Sequence, residues 1–323
     1  MAKAIRFHKQ GGPEVLQVDD VPVGDPGPGQ VRIRHTAIGV NFVDTYQRSG
    51  LYPMQLPAVA GNEAAGVVEA VGSGVKALKV GERVAYTGLP GSYCEARIVP
   101  AERMVKVPKG ISDEQAASMM LKGMTVHYLI FTTYKVKKGD TVLWHAAAGG
   151  VGLIACQWLK KLGVTTIGTV GSDEKAKLAK AHGCHHVINY SSENFAERVK
   201  AITKDKKLPV VYDAVGKTTW EGSLDCLRPR GLMVSFGNAS GPVAPVNLGI
   251  LSTKGSLYVT RPTLATHIAS PADLAKRAKD LFDVVKSRKV KIETTARYKL
   301  ADAAQAHRDL EGRKTTGSVV LIP

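Results

Sequence analysis

From Gly139 onward the chain alternates short apolar runs with amphipathic ones, and this rhythm restricts the fold more than any other feature of the sequence. "TVLWHA" precedes "GVGLIACQWLKKLG", "VTTIGTV" precedes "SDEKAKLAKAHG", "HHVINY" precedes "SENFAERVKAITKD", and "PVVYDAV" precedes "KTTWEGSLDCLRPRG". "LMVSFG" and "GSLYVT" supply two further runs of strand character. Strands separated by helices of about 10–15 residues signal βαβ units and therefore a parallel sheet. Six such strands suffice for a doubly wound α/β domain of the dinucleotide-binding, Rossmann type.

The first strand-to-helix turn of this region carries a motif. In "VLWHAAAGGVGLIACQWL", Ala147, Gly149 and Gly152 keep an A-x-G-x-x-G spacing. Small residues there let the backbone approach a pyrophosphate, while the helix N-terminus presents free N–H groups and the positive end of its dipole. Alone, the spacing is also met by a ligand-free glycine turn. With a strand before it, a helix after it and more strands continuing the sheet, it reads as a dinucleotide loop. NAD-binding sheets usually end the second strand in Asp or Glu, which bonds the ribose 2′-OH. Here "VTTIGTVGSDEK" places Gly171 and Ser172 at that point and Lys175 one turn on. A small loop and a cation suit a 2′-phosphate that a carboxylate would repel, so NADPH is expected over NADH. Asp173 and Glu174 lie nearby and argue the other way unless they are solvated partners of the helix dipole.

A chain of 323 residues is longer than one core usually supports, so a second domain is expected. The first third is rich in glycine, proline and β-branched residues, with short alternating runs such as "QVRIRHTAI" and "GVVEAV" between turn signals. That pattern suggests a barrel-like, mostly β domain. "SDEQAASMMLKGMTVHYLIFTTYKV" has helical periodicity behind Ser112 as N-cap and bridges to the parallel sheet. After Arg261 come the amphipathic "SPADLAKRAKDLFDVVKSRKV" and a terminal "GSVVLIP" of strand character. The tail is therefore expected to return to the first domain and make it discontinuous. The expected division is a catalytic domain over 1–123, a dinucleotide-binding domain over 124–262, and a return to the catalytic domain over 263–323.

The net charge of +16, from 44 Lys and Arg against 28 Asp and Glu, directs attention to anionic partners, either small molecules or nucleic acid. The basic residues are scattered through "KKGD", "LKKLG", "KAKLAK" and "TKDKKLP", and aromatics are 6%, a distribution that fits solvated helix faces better than a groove reader. The four cysteines, Cys94, Cys156, Cys184 and Cys226, form no CxxC pair, which suits a reduced cytoplasm. "MAKAIRFHKQGG" has no apolar run behind its basic residues, and "AAAGGVGLIACQWL" is glycine-broken and short of the roughly 18 apolar residues of a membrane helix. A soluble protein is expected. One carboxylate is out of keeping with its surroundings: Glu63, in "VAGNEAAGVVEAVG". A buried acid is costly unless it is paired, hydrogen-bonded, protonated or bound to a metal.

Taken in order, "AIGVNFVDTYQRSGLYP", "GNEAAGVVEAVGSGV", "HAAAGGVG" and "GSVVLIP" resemble the medium-chain dehydrogenase/reductases, and within them the zinc-free quinone oxidoreductases of the zeta-crystallin-like branch. The likeness runs from end to end and implies a GroES-like form for the mostly β domain. Zinc-dependent relatives carry a cysteine where this chain has Asn41 and a histidine where it has Asn62, and they have a four-cysteine lobe that is absent here. An amide is a poor substitute for thiolate or imidazole, so no metal is expected. The resemblance further implies that Asn41 and Tyr46 face the nicotinamide with Thr125 near it, and that Gly150 and Val151, beside Gly149, lie under the pyrophosphate. Gly171, Ser172, Lys175 and Tyr190 would surround the adenosine and its 2′-phosphate, with Arg313 closing over it. Phe236, Asn238, Ser240 and Arg261 would flank the cofactor. Each position alone has a plainer reading: Tyr46 and Tyr190 as packing residues, Arg313 as a surface charge.

The reaction so implied is hydride or electron delivery from NADPH to an acceptor that is already electrophilic, a quinone or else an α,β-unsaturated ketone or aldehyde. Asn41, Asp44, Tyr46 and Tyr52 are the polar candidates near the ring. Tyr46 or Tyr52 is suited to donate to a quinone oxygen, and none qualifies as an essential general acid. Glu63 is then either a buried acid tied to a cation or backbone donors, or a proton relay. Relatives of this branch include a lens structural protein and binders of AU-rich RNA, so RNA binding is a reading of a different class. "GSLYVTRP" would be the sheet's last strand, an exposed edge, and a homodimer through residues 255–260 is expected.

Overall fold

The apolar runs after Gly139 become six strands paired in parallel throughout. Their order across the sheet is His186–Asn189, Thr165–Val170, Thr141–Trp144, Leu208–Asp213, Leu227–Ser235 and Tyr258–Thr260. Thr165–Val170 and Leu208–Asp213 are buried almost throughout, because helices on both faces leave no side of a central parallel strand in water. Leu143, Ile167, Ile188, Val211 and Met233 form the core on one of those faces. The chain runs outward from Thr141–Trp144 to one side and then returns to its other side with Leu208–Asp213, so the strand order reverses there. In sheets of this kind the crevice beyond the carboxyl ends of the strands at such a reversal is where ligands bind.

The computed structural model describes residues 1–323. It divides into a first unit, residues 1–124, 267–286 and 292–323, and a second unit, residues 125–266 and 287–291, which holds the parallel sheet. The short segment 287–291 falls in the second unit, where the Gln157 side chain brackets Lys291, donating to its carbonyl (3.0 Å) and accepting from its N–H (2.8 Å).

The first unit is mostly β. Gln17–Val21, Ala2–Phe7 and Ala58–Val59 make a three-stranded antiparallel sheet. A seven-stranded sheet runs Thr294–Lys299, Ser318–Ile322, Gln30–Val40, Glu63–Val71, Arg83–Thr87 and Val105–Lys106, with Ala96–Pro100 also paired to Gln30–Val40. The terminal "SVVLI" lies antiparallel to Gln30–Val40, pairing Val319 with Val40 and Leu321 with Ile38. The tail thus closes the sheet begun by the first third of the chain. The core gathers Ile5, Phe7, Ile33, Ile38, Val68, Tyr86 and Leu321.

The helix Asp113–Tyr128 starts as its sequence indicates: the Ser112 hydroxyl accepts from the Gln115 N–H (3.1 Å) and the Gln115 side chain accepts from the Ser112 N–H (3.0 Å). This reciprocal pair satisfies two donors that a helix start would otherwise leave free. Leu129–Thr133 prolongs the helix as a π-helical turn.

Candidate active site

In the second unit, Thr141–Trp144 ends in a tight turn that opens the helix Gly150–Lys161. Ala146 takes a positive φ of 55°, and its carbonyl accepts from the Gly149 N–H (3.0 Å). The N-cap is Gly149, which has no side chain with which to cap, and no acidic residue stands in the first turn. The first N–H groups of the helix are thus left to an anion. A Cβ on Gly152 would come within 2.4 Å of the Ala146 carbonyl oxygen and 2.6 Å of that of Ala147, so only glycine lets the helix sit this close to the turn. These features fit a pyrophosphate.

The turn is braced from beneath. The Asp213 carboxylate only accepts, so the Ser223 hydroxyl donates to it (3.1 Å) and accepts from His145 Nε2 (2.9 Å). His145 Nδ1 therefore accepts from Thr169 Oγ1 (2.8 Å). Burial lowers the His145 pKa, which suits this neutral ring. Asp213 also accepts from the N–H groups of Val215 (2.7 Å) and Gly216 (3.0 Å), so one carboxylate shapes the loop after Leu208–Asp213. His145 was not legible as a site residue, since its partners lie 24 and 78 positions away.

Gly171, Ser172, Lys175 and Tyr190 gather at the carboxyl end of Thr165–Val170. The Tyr190 hydroxyl lies 2.7 Å from where a Gly171 Cβ would be, and the Ser172 side chain accepts from the Lys175 N–H (3.3 Å). Asp173 accepts from Asn189 Nδ2 (2.9 Å), a neutral partner that ties it to the next strand's end. Phe236, Asn238, Ser240 and Arg261 gather beyond Leu227–Ser235. The ring centroid of Phe236 is 5.7 Å from that of Trp144. Ser240 Oγ donates to the Val215 carbonyl (2.8 Å) and accepts from the Thr218 N–H (3.1 Å), while Arg261 donates to Ser235 Oγ and the Gly237 carbonyl, both at 2.9 Å. Ser240 and Arg261 therefore shape the turn. Thr125 is buried in the helix Asp113–Tyr128.

Asn41, Asp44, Tyr46, Tyr52 and Arg313 belong to the first unit. Asn41 N-caps the helix Phe42–Ser49, where its backbone N–H donates to Asp44 Oδ2 (2.8 Å). Its side-chain amide donates to Glu63 Oε1 (2.9 Å). Glu63 is fully buried and accepts in addition from Lys122 Nζ (3.0 Å) and the Leu121 backbone N–H (2.6 Å). The carboxylate that looked out of place is thus paired and saturated. Gly39 makes room for it, since a Cβ there would stand 2.3 Å from Glu63 Oε1 and 2.2 Å from the Ala117 carbonyl oxygen.

Asn62 gives both amide protons away, to Asp44 Oδ1 (2.7 Å) and to Gln47 Oε1 (2.6 Å). Asp44 also accepts from the Tyr93 hydroxyl (2.9 Å). Burial pushes the Asp44 carboxyl up to about 6, against the pull of hydrogen bonds from Asn62, Asn41 and Tyr93, and the Glu63 charge adds to the rise. Tyr46 and Tyr52 form a half-buried aromatic corner, with ring centroids 5.3 Å apart and edge to face, and Phe42 6.2 Å behind Tyr46. Arg313 follows the helix Ala303–Glu311 at a positive φ of 56° and is exposed.

This donor set does not fit zinc. Asn41 and Asn62 are committed as donors to Glu63 and Asp44, and no three His, Cys, Asp or Glu side chains stand close enough together to hold a metal ion.

The chain matches two family models, the alcohol dehydrogenase GroES-like domain over residues 27–109 and the zinc-binding dehydrogenase over residues 150–269. It is similar to a quinone oxidoreductase of Pseudomonas aeruginosa, 58% identical with 100% of both chains covered. It is also similar to a 2-haloacrylate reductase of a Burkholderia species, 49% identical with 100% of this chain and 99% of that protein covered. The crystal structure of Escherichia coli quinone oxidoreductase complexed with NADPH superposes on it with a TM-score of 0.98 at 52% identity, over 100% of both chains. A likeness of this depth over every residue, with amides at both positions where zinc-dependent relatives carry metal ligands, shows that the chain belongs to the quinone oxidoreductases of the medium-chain dehydrogenase/reductase family.

Proposed function

We propose that this chain catalyses NADPH-dependent reduction of quinones without a metal: NADPH, a proton and a quinone give NADP⁺ and a hydroquinone. One observation carries the reading. Along a chain 58% identical to a quinone oxidoreductase, both positions that hold metal ligands in zinc-dependent relatives are amides already spent on Asp44 and Glu63. A quinone needs no Lewis acid to accept a hydride, and NADPH supplies that hydride when bound.

The residues of the chain then have binding and orienting roles. In this reading residues 124–262 hold the cofactor, and residues 1–123 with 263–323 serve the acceptor. The turn at Gly149, Gly150 and Val151 takes the pyrophosphate. Lys175, Tyr190 and Arg313 take the 2′-phosphate over the small loop Gly171–Ser172, and Phe236, Asn238, Ser240 and Arg261 give the flanking turn its shape. Asn41, Tyr46 and Thr125 orient the nicotinamide. The Tyr46–Tyr52 corner offers aromatic surface for a planar acceptor and hydroxyl donors for its oxygen, with Asp44 setting the helix on which Tyr46 stands. Water completes the proton supply.

A screen of NADPH oxidation with ortho-quinones, para-quinones and enones, run in parallel with NADH, tests the proposal. Turnover confined to enones, or a preference for NADH, refutes it. The 49% identity to a 2-haloacrylate reductase favours one second reading, reduction of activated alkenes at the same site, and the same screen separates the two.

We also infer a homodimer. The edge strand Tyr258–Thr260 leaves Tyr258 60% and Val259 40% exposed, and a two-fold partner would cover them. A monomer by light scattering at micromolar concentration refutes it. No helix is long and apolar enough to cross a membrane, and four free cysteines support a cytoplasmic setting. The RNA-binding alternative requires a salt-dependent shift of an AU-rich RNA that NADPH competes away.

A further inference from the structure

Tyr93, His307, Arg48 and Glu311 take no part in the binding roles just given, yet they form an unbroken polar chain ending at Asp44. Glu311 grips Arg48 with both carboxylate oxygens, at 3.0 and 2.7 Å. Arg48 NH1 lies 3.1 Å from His307 Nδ1, His307 Nε2 lies 3.1 Å from the Tyr93 hydroxyl, and that hydroxyl lies 2.9 Å from Asp44 Oδ2. Tyr93 and His307 are fully buried, and Arg48 is 2% exposed.

The direction of every bond in this chain is fixed from its ends. A guanidinium only donates, so Nδ1 of His307 must accept and the ring proton sits on Nε2, which donates to the Tyr93 oxygen. The Tyr93 proton is then free to go to Asp44, which as a carboxylate only accepts. Burial, reinforced by the Arg48 cation, lowers the His307 pKa to about 3 and keeps this ring neutral. The chain does not conduct protons to the surface, because Arg48 does not give one up. Instead it presents the pole of a cation to a buried anion through two aligned dipoles.

We propose that Tyr93 and His307 are positioning residues for the reaction: they hold Asp44 as a carboxylate and through it fix Asn62 and the start of the helix that carries Tyr46. As a carboxylate Asp44 accepts from Asn62 on Oδ1 and from the Asn41 backbone N–H on Oδ2 at once, and a proton on either oxygen ends one of these bonds. The protonated oxygen becomes a donor facing a donor, so Asp44 gives up its tie either to Asn62 or to the helix start. The charged and titratable groups around it are Glu63 and its partner Lys122, Tyr93, His307, and Arg48 with Glu311. Of these Glu63 works against the carboxylate, and the Tyr93 chain works for it.

Whether the reaction needs this chain rests on the quinone reductase reading, but the state of Asp44 can be measured without turnover. Infrared difference spectroscopy of the full-length protein follows the carbonyl stretch of a protonated carboxyl group, assigned by its loss in Asp44→Asn. In the parent this signal should appear as pH falls through about 6. In Tyr93→Phe it should appear ~1 pH unit higher, since a carboxylate that loses a donor binds its proton more readily, and in His307→Leu it should move the same way by less, since Tyr93 keeps its bond to Asp44 and loses only the donor behind it. His307→Gln carries one donor and one acceptor on a single side chain and should titrate with the parent. The acid limb of kcat/KM for NADPH and 1,4-benzoquinone should move with the infrared titration in each variant. A titration that does not move in Tyr93→Phe, or one that moves as far in His307→Gln as in His307→Leu, overturns the proposal, as does a uniform loss of rate with no displaced limb. A parent that titrates as expected but does not reduce quinones overturns the functional reading, and the positioning role with it.

Discussion

Replacing Glu63 by glutamine removes one charge where three donors converge and changes almost nothing in size. The parent carboxylate accepts from Lys122 Nζ, the Leu121 N–H and the Asn41 amide, with side chains 0% and 7% exposed for Glu63 and Lys122. In Glu63→Gln the amide oxygen keeps at most two of these donors, and its NH₂ group faces the remaining one. Lys122 is left with the Val40 carbonyl at 3.3 Å and no counter-charge. Breaking a buried ion pair from one side costs about 3–5 kcal/mol, and the retained amide oxygen places this case near 3. A loss of that size lowers the melting temperature of a unit this large by about 6–12 °C. Lys122→Met should cost a similar amount, and the double variant less than the sum, with a coupling of ~2 kcal/mol. Because Glu63 reaches the acceptor side only through Asn41, kcat of Glu63→Gln should stay within about tenfold of the parent. Thermal melts by circular dichroism alongside steady-state rates make the comparison. A melting temperature within ~2 °C of the parent with a rate lower by several orders of magnitude would refute the reasoning and make Glu63 a proton relay.

Tyr46→Phe should retain substantial turnover, because the acceptor takes its protons from water as well, and a loss of several orders of magnitude contradicts this. Lys175→Ala should lower the ratio of kcat/KM for NADPH over NADH by about tenfold, the worth of one charged hydrogen bond to a phosphate. Stability should also fall with acid. Burial lowers His35 to about 4 and His307 to about 3, so their contributions are whole above 6.5 and drain as pH falls below it, whereas the Asp44 carboxyl, raised to about 6, gains stability as pH falls from there toward 4. Two histidines against one acid leave a net loss of about 2 kcal/mol between pH 7 and 5, read from denaturation midpoints, and a flat profile over that range sinks the account.

The fold was legible where period and punctuation agree. Six apolar runs gave six parallel strands, and Ser112 with Gln115 marked a helix start through their own chemistry. Boundaries failed where backbone geometry overrode composition. "KTTWEGSLDCLRPRG" reads as one helix, yet only Trp220–Asp225 is helical, and the next strand begins at Leu227, passing through Pro229 and a left-handed Arg230 before "LMVSFG". The irregular pairing between Leu208 and Val210 takes up that bend. Within the site, the glycine turn and the polar residues on the first short helix were legible because each lies within a few positions of its neighbours. Tyr93 and His307 were not, since their bond joins positions 214 apart and a buried tyrosine beside a histidine has no signature in composition.

What the sequence carries in place of a metal is a balance of charge. Two buried carboxylates remain beside Asn41 and Asn62, and each is answered by a cation, Glu63 by Lys122 from another part of the chain and Asp44 by Arg48 from its own helix. Lys122 reaches Glu63 directly at 3.0 Å. Arg48 reaches Asp44 through His307 and Tyr93 and is itself held by Glu311, whose side chain is 35% exposed. The two arrangements differ in reach and therefore in consequence. A direct buried pair acts chiefly on stability, which is the outcome expected of Glu63→Gln. A pair mediated by two neutral dipoles only partly offsets the burial that raises Asp44 to about 6, close enough to neutrality for a single lost hydrogen bond to matter. Asn41 and the helix that follows it are bound to both carboxylates at once, so a change at either carboxylate reaches the same helix start.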